Sequence, residues 1–111
     1  MTKTFTYNKL IRDKNIEILQ NLGHDVTYHV MDDKNYSIEL NKKLLEEAYE
    51  FIEEHNLEEL ADLLEVVYSI AELKNIDLCE VERIRQKKKS YKGGFERKIY
   101  LETVTEFKKW T

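Results

Sequence analysis

The chain has no proline among its 111 residues, only three glycines and a single cysteine, Cys79. Without proline its helices must end by other means. The stops fall to Gly23, to the Gly93-Gly94 pair and to Asn75, which tolerate the left-handed conformation. One cysteine excludes a disulfide framework within the chain and points to a reducing compartment. No stretch reaches the roughly 18 uninterrupted apolar residues of a membrane span. The opening MTKTFTYNKLIRDK lacks the apolar core of a signal peptide. The expectation is a soluble, cytoplasmic chain with no membrane partner. There is no internal repeat, low-complexity tract or Pro/Gly/Ser-rich linker, so residues 1–111 read as one domain. Hydrophobic content of 41% allows a core, but a small one that self-association would supplement.

What the chain does have is charge, unevenly placed. The formal net charge is −4, yet residues 39–82 hold fourteen Asp or Glu against three Lys or Arg, and residues 83–98 hold eight Lys or Arg against one Glu. Such polarity suits a metal-and-phosphate site, or copies that pair head to tail. The acid is densest in LLEEAYEFIEEHNLEELADLLEVVYSIA, residues 44–71, with nine acidic side chains and no Lys or Arg. A solvated helix normally mixes its charges to gain i,i+4 pairs. This stretch has none within itself.

Periodicity and stop signals predict a mostly helical chain. Residues 8–22 read as a first helix stopped by Gly23, and DVTYHVM at 25–31 as a short strand. Asp32 or Asp33 can cap a second helix running to about Glu54. His55-Asn56 makes a tight break, and a third helix follows from Leu57 to about Lys74. Asp77 can cap a fourth, ending near Tyr91 before the glycines. FERKIYLETVTEF, residues 95–107, is rich in β-branched and aromatic residues and reads as extended. The expected fold is therefore all-α with short peripheral β strands.

On a helical wheel of the third helix, Leu63, Val66, Ile70 and Leu73 form an apolar arc of about 80°. Glu59 falls inside that arc and Asp62 at its edge, whereas Glu58, Glu65 and Glu72 lie on the polar side. On the second helix, Leu40, Leu44, Ala48, Phe51 and Ile52 form a stripe, with Glu47 at its rim and Glu50 further round. Folding the two helices back around residues 54 and 55 sets Glu50 opposite Glu59 and Glu47 opposite Asp62. Members of each i,i+3 pair share a face. Four carboxylates then converge on a partly dry interface, where their repulsion is costly. Protonation would relieve it, and so would a hard divalent cation. All-oxygen ligation suits Mg²⁺ or Mn²⁺. Acids exposed on a solvated face are the plain alternative, which the inward position of Glu59 argues against. His24, His29 and His55 never fall in Glu-x-x-His, so the ligand set of di-iron carboxylate bundles is missing.

These residues also resemble a family pattern. Glu46-Glu47-Ala48-Tyr49-Glu50 followed by Glu59-Leu60-Ala61-Asp62 matches the EExxE…ExxD order of the MazG-like all-α nucleoside triphosphate pyrophosphohydrolases. NKLIRDK at 8–14, EELADLLEVVYSIA at 58–71 and YKGGFERKIYLE at 91–102 look like the house-cleaning subgroup related to phosphoribosyl-ATP pyrophosphohydrolase. The likeness spans nearly the whole chain. The eight-residue gap between the acidic motifs is shorter than in many of the wider family, and Asn15-Ile16 stands where the subgroup usually has Ile-Pro.

The resemblance implies a helical bundle completed by oligomerisation, as a homodimer or homotetramer. It implies cleavage of the α–β phosphate bond of a nucleoside triphosphate, releasing a monophosphate and pyrophosphate. Glu47, Glu50, Glu59 and Asp62 would bind Mg²⁺, and Glu46 would orient or deprotonate the attacking water. Candidate phosphate-binding cations are Lys9, Arg12, Lys88, Lys92 and Arg97. Any one of these could instead pair with the acidic middle of a neighbour or simply face solvent. Tyr7, Tyr49, Tyr68 and Tyr91 could stack on a base or pack in an interface. The alternative function is a non-catalytic nucleotide-sensing or protein-interaction module on the same scaffold. Nucleic acid as a partner rests only on residues 83–98, and the net acidity argues against it.

Overall fold

The computed structural model describes residues 2–105. Four helices follow in order: α1 (Asn15–Asn21), α2 (Asp33–Glu54), α3 (Leu57–Leu73) and α4 (Leu78–Lys92). The chain forms two compact units, Met1–Leu78 and Cys79–Thr111. The first contains the α2–α3 hairpin, where the extensive helix–helix contact lies.

Local chemistry sets the ends of the hairpin helices. Asp32 is extended and its side chain accepts the Asn35 N–H at 2.8 Å, supplying a partner for a donor the first turn of α2 would leave open. At the far end His55 takes the left-handed conformation with φ 54° and its N–H donates to the Phe51 carbonyl. Asn56 is extended again and accepts the Glu59 N–H, starting α3. Two residues therefore reverse the chain. α3 closes with a Schellman arrangement at left-handed Asn75: the Ile76 N–H donates to Ala71 O at 2.8 Å and the Asn75 N–H to Glu72 O at 3.3 Å. Gly93 ends α4 at φ 82°, with its N–H donating to Lys89 O.

The core sits between α2 and α3. Leu40, Val66 and Ala71 are its buried apolar residues, and Leu44, Ala48, Phe51, Leu63, Ile70 and Leu73 flank them half-buried. The inward arcs of both helices are as periodicity predicts, except that Ile52 is exposed. A second apolar stripe has no cover within the first unit. It comprises Ile38, Leu45, Tyr49 and Ile52 on α2, and Leu57, Leu60, Leu64 and Tyr68 on α3, all exposed.

Two expectations are corrected. There is no β strand among the described residues: 25–31 and 95–105 form no ladder, and residues 106–107 of the second segment lie outside the described chain. β-branched and aromatic content gives a segment strand propensity, but a strand exists only with a hydrogen-bonded neighbour, and neither segment has one. Phe95–Lys98 instead makes a turn, with the Lys98 N–H donating to Phe95 O. The first helix also starts seven residues late. Residues 8–14 are irregular, with Asn8 at φ 48°, and within them Lys9 and Arg12 pair with acids on α2 and α3.

Candidate metal centre

The hairpin brings Glu47 and Glu50 of α2 together with Glu59 of α3: each offers a carboxylate oxygen within 4.8 Å of the others. Glu47 is buried, only 7% exposed, Glu59 is half-buried and Glu50 is exposed. The cluster thus runs from the helix interface to the surface. The rotation of α3 that points Glu59 inward is set in its first turn, where the Glu59 N–H is bound 2.9 Å from Asn56 Oδ1.

Neutralisation inside the cluster is incomplete. Glu47 Oε2 and Glu59 Oε2 are both buried atoms with no hydrogen-bond partner. A buried carboxylate oxygen without a donor costs far more than an exposed one. The proton affinities respond accordingly. Burial pushes the Glu47 carboxyl above its ordinary range, and repulsion from Glu50 adds to this while Lys43 opposes it. Burial likewise pushes Glu59 up, helped first by the close approach of the Glu50 carboxyl and then by the charges of Asp62 and Glu47. Three converging carboxyl groups, two with orphaned oxygens, form an all-oxygen donor set that fits a hard divalent cation better than a soft one.

The remaining expected residues divide by place. Asp62 stands outside the trio and is not its fourth oxygen donor in this structure. Its Oδ1 accepts from Arg12 Nη2 at 2.7 Å, although its charge still acts on Glu47 and Glu59. Glu46 stands beside the cluster on α2, half-buried, and is paired with Lys9 at 3.5 Å and Lys43 at 3.4 Å. Lys9 and Arg12 are thus brought to the acids. Lys88 and Lys92 lie on α4, and Arg97 lies in the turn that follows it, all in the second unit. With Arg83, Ile84, Lys87 and Tyr91, the two lysines line a shallow depression on α4.

Lys43 is the residue that sequence reasoning missed. It lies just outside the lysine-free stretch, and its Nζ sits 3.5 Å from Glu47 Oε1 and 3.4 Å from Glu46 Oε1. Its i,i+3 and i,i+4 spacing to those acids was the available signal. No helix among the described residues is long and apolar enough to cross a membrane. No protein-family model, curated protein or solved structure matches the chain.

Proposed function

We propose that the chain is a Mg²⁺-dependent nucleotide pyrophosphohydrolase of the MazG-like kind. It would cleave the α–β phosphate bond of a nucleoside triphosphate, noncanonical ones included, to a monophosphate and pyrophosphate. The observation that carries this reading is the convergence of Glu47, Glu50 and Glu59 with two buried, unpartnered carboxylate oxygens. The EExxE…ExxD order of the same residues supports it.

In this reading Glu47, Glu50 and Glu59 would hold the ion, and Asp62, once parted from Arg12, would join them from the next turn of α3. A bound Mg²⁺ would offset the negative charge of the phosphate oxygens and lower the pKa of a water. Glu46, paired with Lys43, is the group assigned to orient the attacking water and accept its proton. Lys9 and Arg12, which stand beside the acids, are the cations assigned to the triphosphate. Manganese, with the same preference for oxygen, would serve in place of magnesium.

The uncovered stripe through Leu45 and Tyr49 on α2 and Leu64 on α3 supports assembly as a homodimer or homotetramer, in which a second hairpin completes a four-helix core. The same stripe favours the second reading, an interaction module without turnover. The deciding experiment incubates the folded protein with Mg²⁺ and a broad panel of nucleotides, modified bases included, and measures pyrophosphate. Release of pyrophosphate that Glu59→Gln abolishes supports the enzyme; no turnover of any nucleotide leaves the interaction module.

A further inference from the structure

Residues 2–14 form no helix or strand, but the segment is tethered. Leu10 and Ile11 are half-buried, while Lys9 and Arg12 on either side of them are exposed. Lys9 Nζ reaches Glu46 on α2 at 3.5 Å, and Arg12 Nη2 reaches Asp62 on α3 at 2.7 Å. Four consecutive residues, Lys9-Leu10-Ile11-Arg12, therefore bridge the two arms of the hairpin beside the acid cluster. Arg12 meets a partner 50 positions away in sequence, so the contact is tertiary and not an accident of helical spacing.

We propose that Arg12 is the internal counter-ion of the acid cluster: it holds Asp62 until a divalent cation takes over that charge, and the exchange frees the guanidinium together with its segment. This rests on the metal reading above and adds to it a competitor and a moving part. Both partners are substantially exposed, at 56% and 41% for their side chains, so water screens the pair and it exchanges readily. A divalent ion among Glu47, Glu50 and Glu59 places two positive charges beside Asp62. Those charges attract the carboxylate and repel the guanidinium. Once released, the planar fork of Arg12 suits phosphate oxygens, which a second ligand at the ion would present. Lys9, whose contact with Glu46 is longer, leaves with it.

The test is a Mn²⁺ titration of the intact chain, followed by electron paramagnetic resonance without nucleotide, comparing wild type with Arg12→Gln. Removing a competitor tightens Mn²⁺ binding, by up to about fivefold for an exposed ion pair of ordinary strength. In the wild type, Mn²⁺ also speeds tryptic cleavage after Lys9, and fails to do so in Glu59→Gln. Arg12→Lys, which keeps the charge but loses the fork, moves affinity the same way by less and serves if the glutamine variant does not fold. Unchanged or weaker Mn²⁺ binding in both variants overturns the proposal and makes Arg12 a support of the site. Cleavage that Mn²⁺ leaves unchanged or slows overturns the release of the segment. Failure of wild type and variants alike to bind Mn²⁺ sinks the metal reading itself, a result distinct from tight binding that Arg12 does not affect.

Discussion

Asn56 Oδ1 accepts the backbone N–H of Glu59 at 2.9 Å, so the cap that starts α3 also fixes the turn of helix that carries a cluster carboxylate. Stability and site geometry are joined in one hydrogen bond. Asn56→Ala removes the cap and is expected to cost about 1 kcal/mol of folding stability. It also weakens Mn²⁺ binding, because the first turn of α3 frays. Asn56→Asp keeps the acceptor and restores most of the stability. Urea unfolding with parallel Mn²⁺ titration reads both effects; a stable Asn56→Ala protein with intact Mn²⁺ affinity would show that the cap does not position Glu59.

Metal and stability are linked through the orphaned oxygens of Glu47 and Glu59. An ion bound only by the folded chain, at a hundred times its Kd, raises stability by about 2.7 kcal/mol. Wild-type protein is therefore expected to melt several degrees higher with saturating Mg²⁺ or Mn²⁺. Glu59→Gln removes that increment, while its metal-free melting temperature holds or rises because one repelling charge is gone. Differential scanning calorimetry of both proteins, with and without the ion, checks it.

The metal-free protein should also respond to pH in a defined direction. Glu47 and Glu59 are both raised above the ordinary carboxylate value of 4.5. Between that value and their folded values, the folded chain binds more protons than the unfolded one. Their contribution to stability therefore falls as pH rises through this window and stays low above it. Below 4.5 both states are protonated and no penalty exists. The double variant Glu47→Gln, Glu59→Gln gains stability over wild type only as pH climbs past that point. Glu80 and Glu82, lowered by Arg83 and Arg85, act in the opposite sense in both proteins and cancel in the difference. Chemical denaturation from pH 4 to pH 8 gives the two curves; a constant gap between them would contradict the assigned cause.

The uncovered stripe makes a prediction about mass. Leu45 and Leu64 are 65% and 48% exposed, on α2 and α3 respectively. Under the proposed assembly, Leu64→Glu places a charge in an apolar interface and lowers the sedimenting mass to that of one chain. Thermal stability then falls and becomes independent of protein concentration. A wild-type protein that already sediments as a single chain would remove the assembly from the proposal.

Much of the hairpin was legible because its signals are local. Asp32, His55-Asn56 and Asn75 mark ends by chemistry that acts over three or four residues, and the apolar arc that includes Glu59 needs only a period of 3.6. Glu47 proved deeper than its rim position suggests, since a wheel gives direction but not depth. The irregular run at 8–14 was not legible. Its contacts are tertiary: Arg12 and Lys9 meet acidic partners that lie far along the chain. The pairing of Asp62 with Arg12 was hidden for the same reason. The strands expected at 25–31 and over 95–107 were misjudged, as far as the described residues go, because propensity describes one segment, while a ladder needs two.

His55 and Asn56 give the reversal no slack. One residue inserted further on, inside α3 between Glu59 and Leu63, would rotate Glu59 by about 100° away from the apolar arc that seats the helix. Glu59 would swing out toward water, and a surface residue would take its place against Glu47. The site's combination lock is thus a matter of counting: the number of residues between each acid and the apolar arc of its own helix decides whether the side chains meet, however well each helix forms.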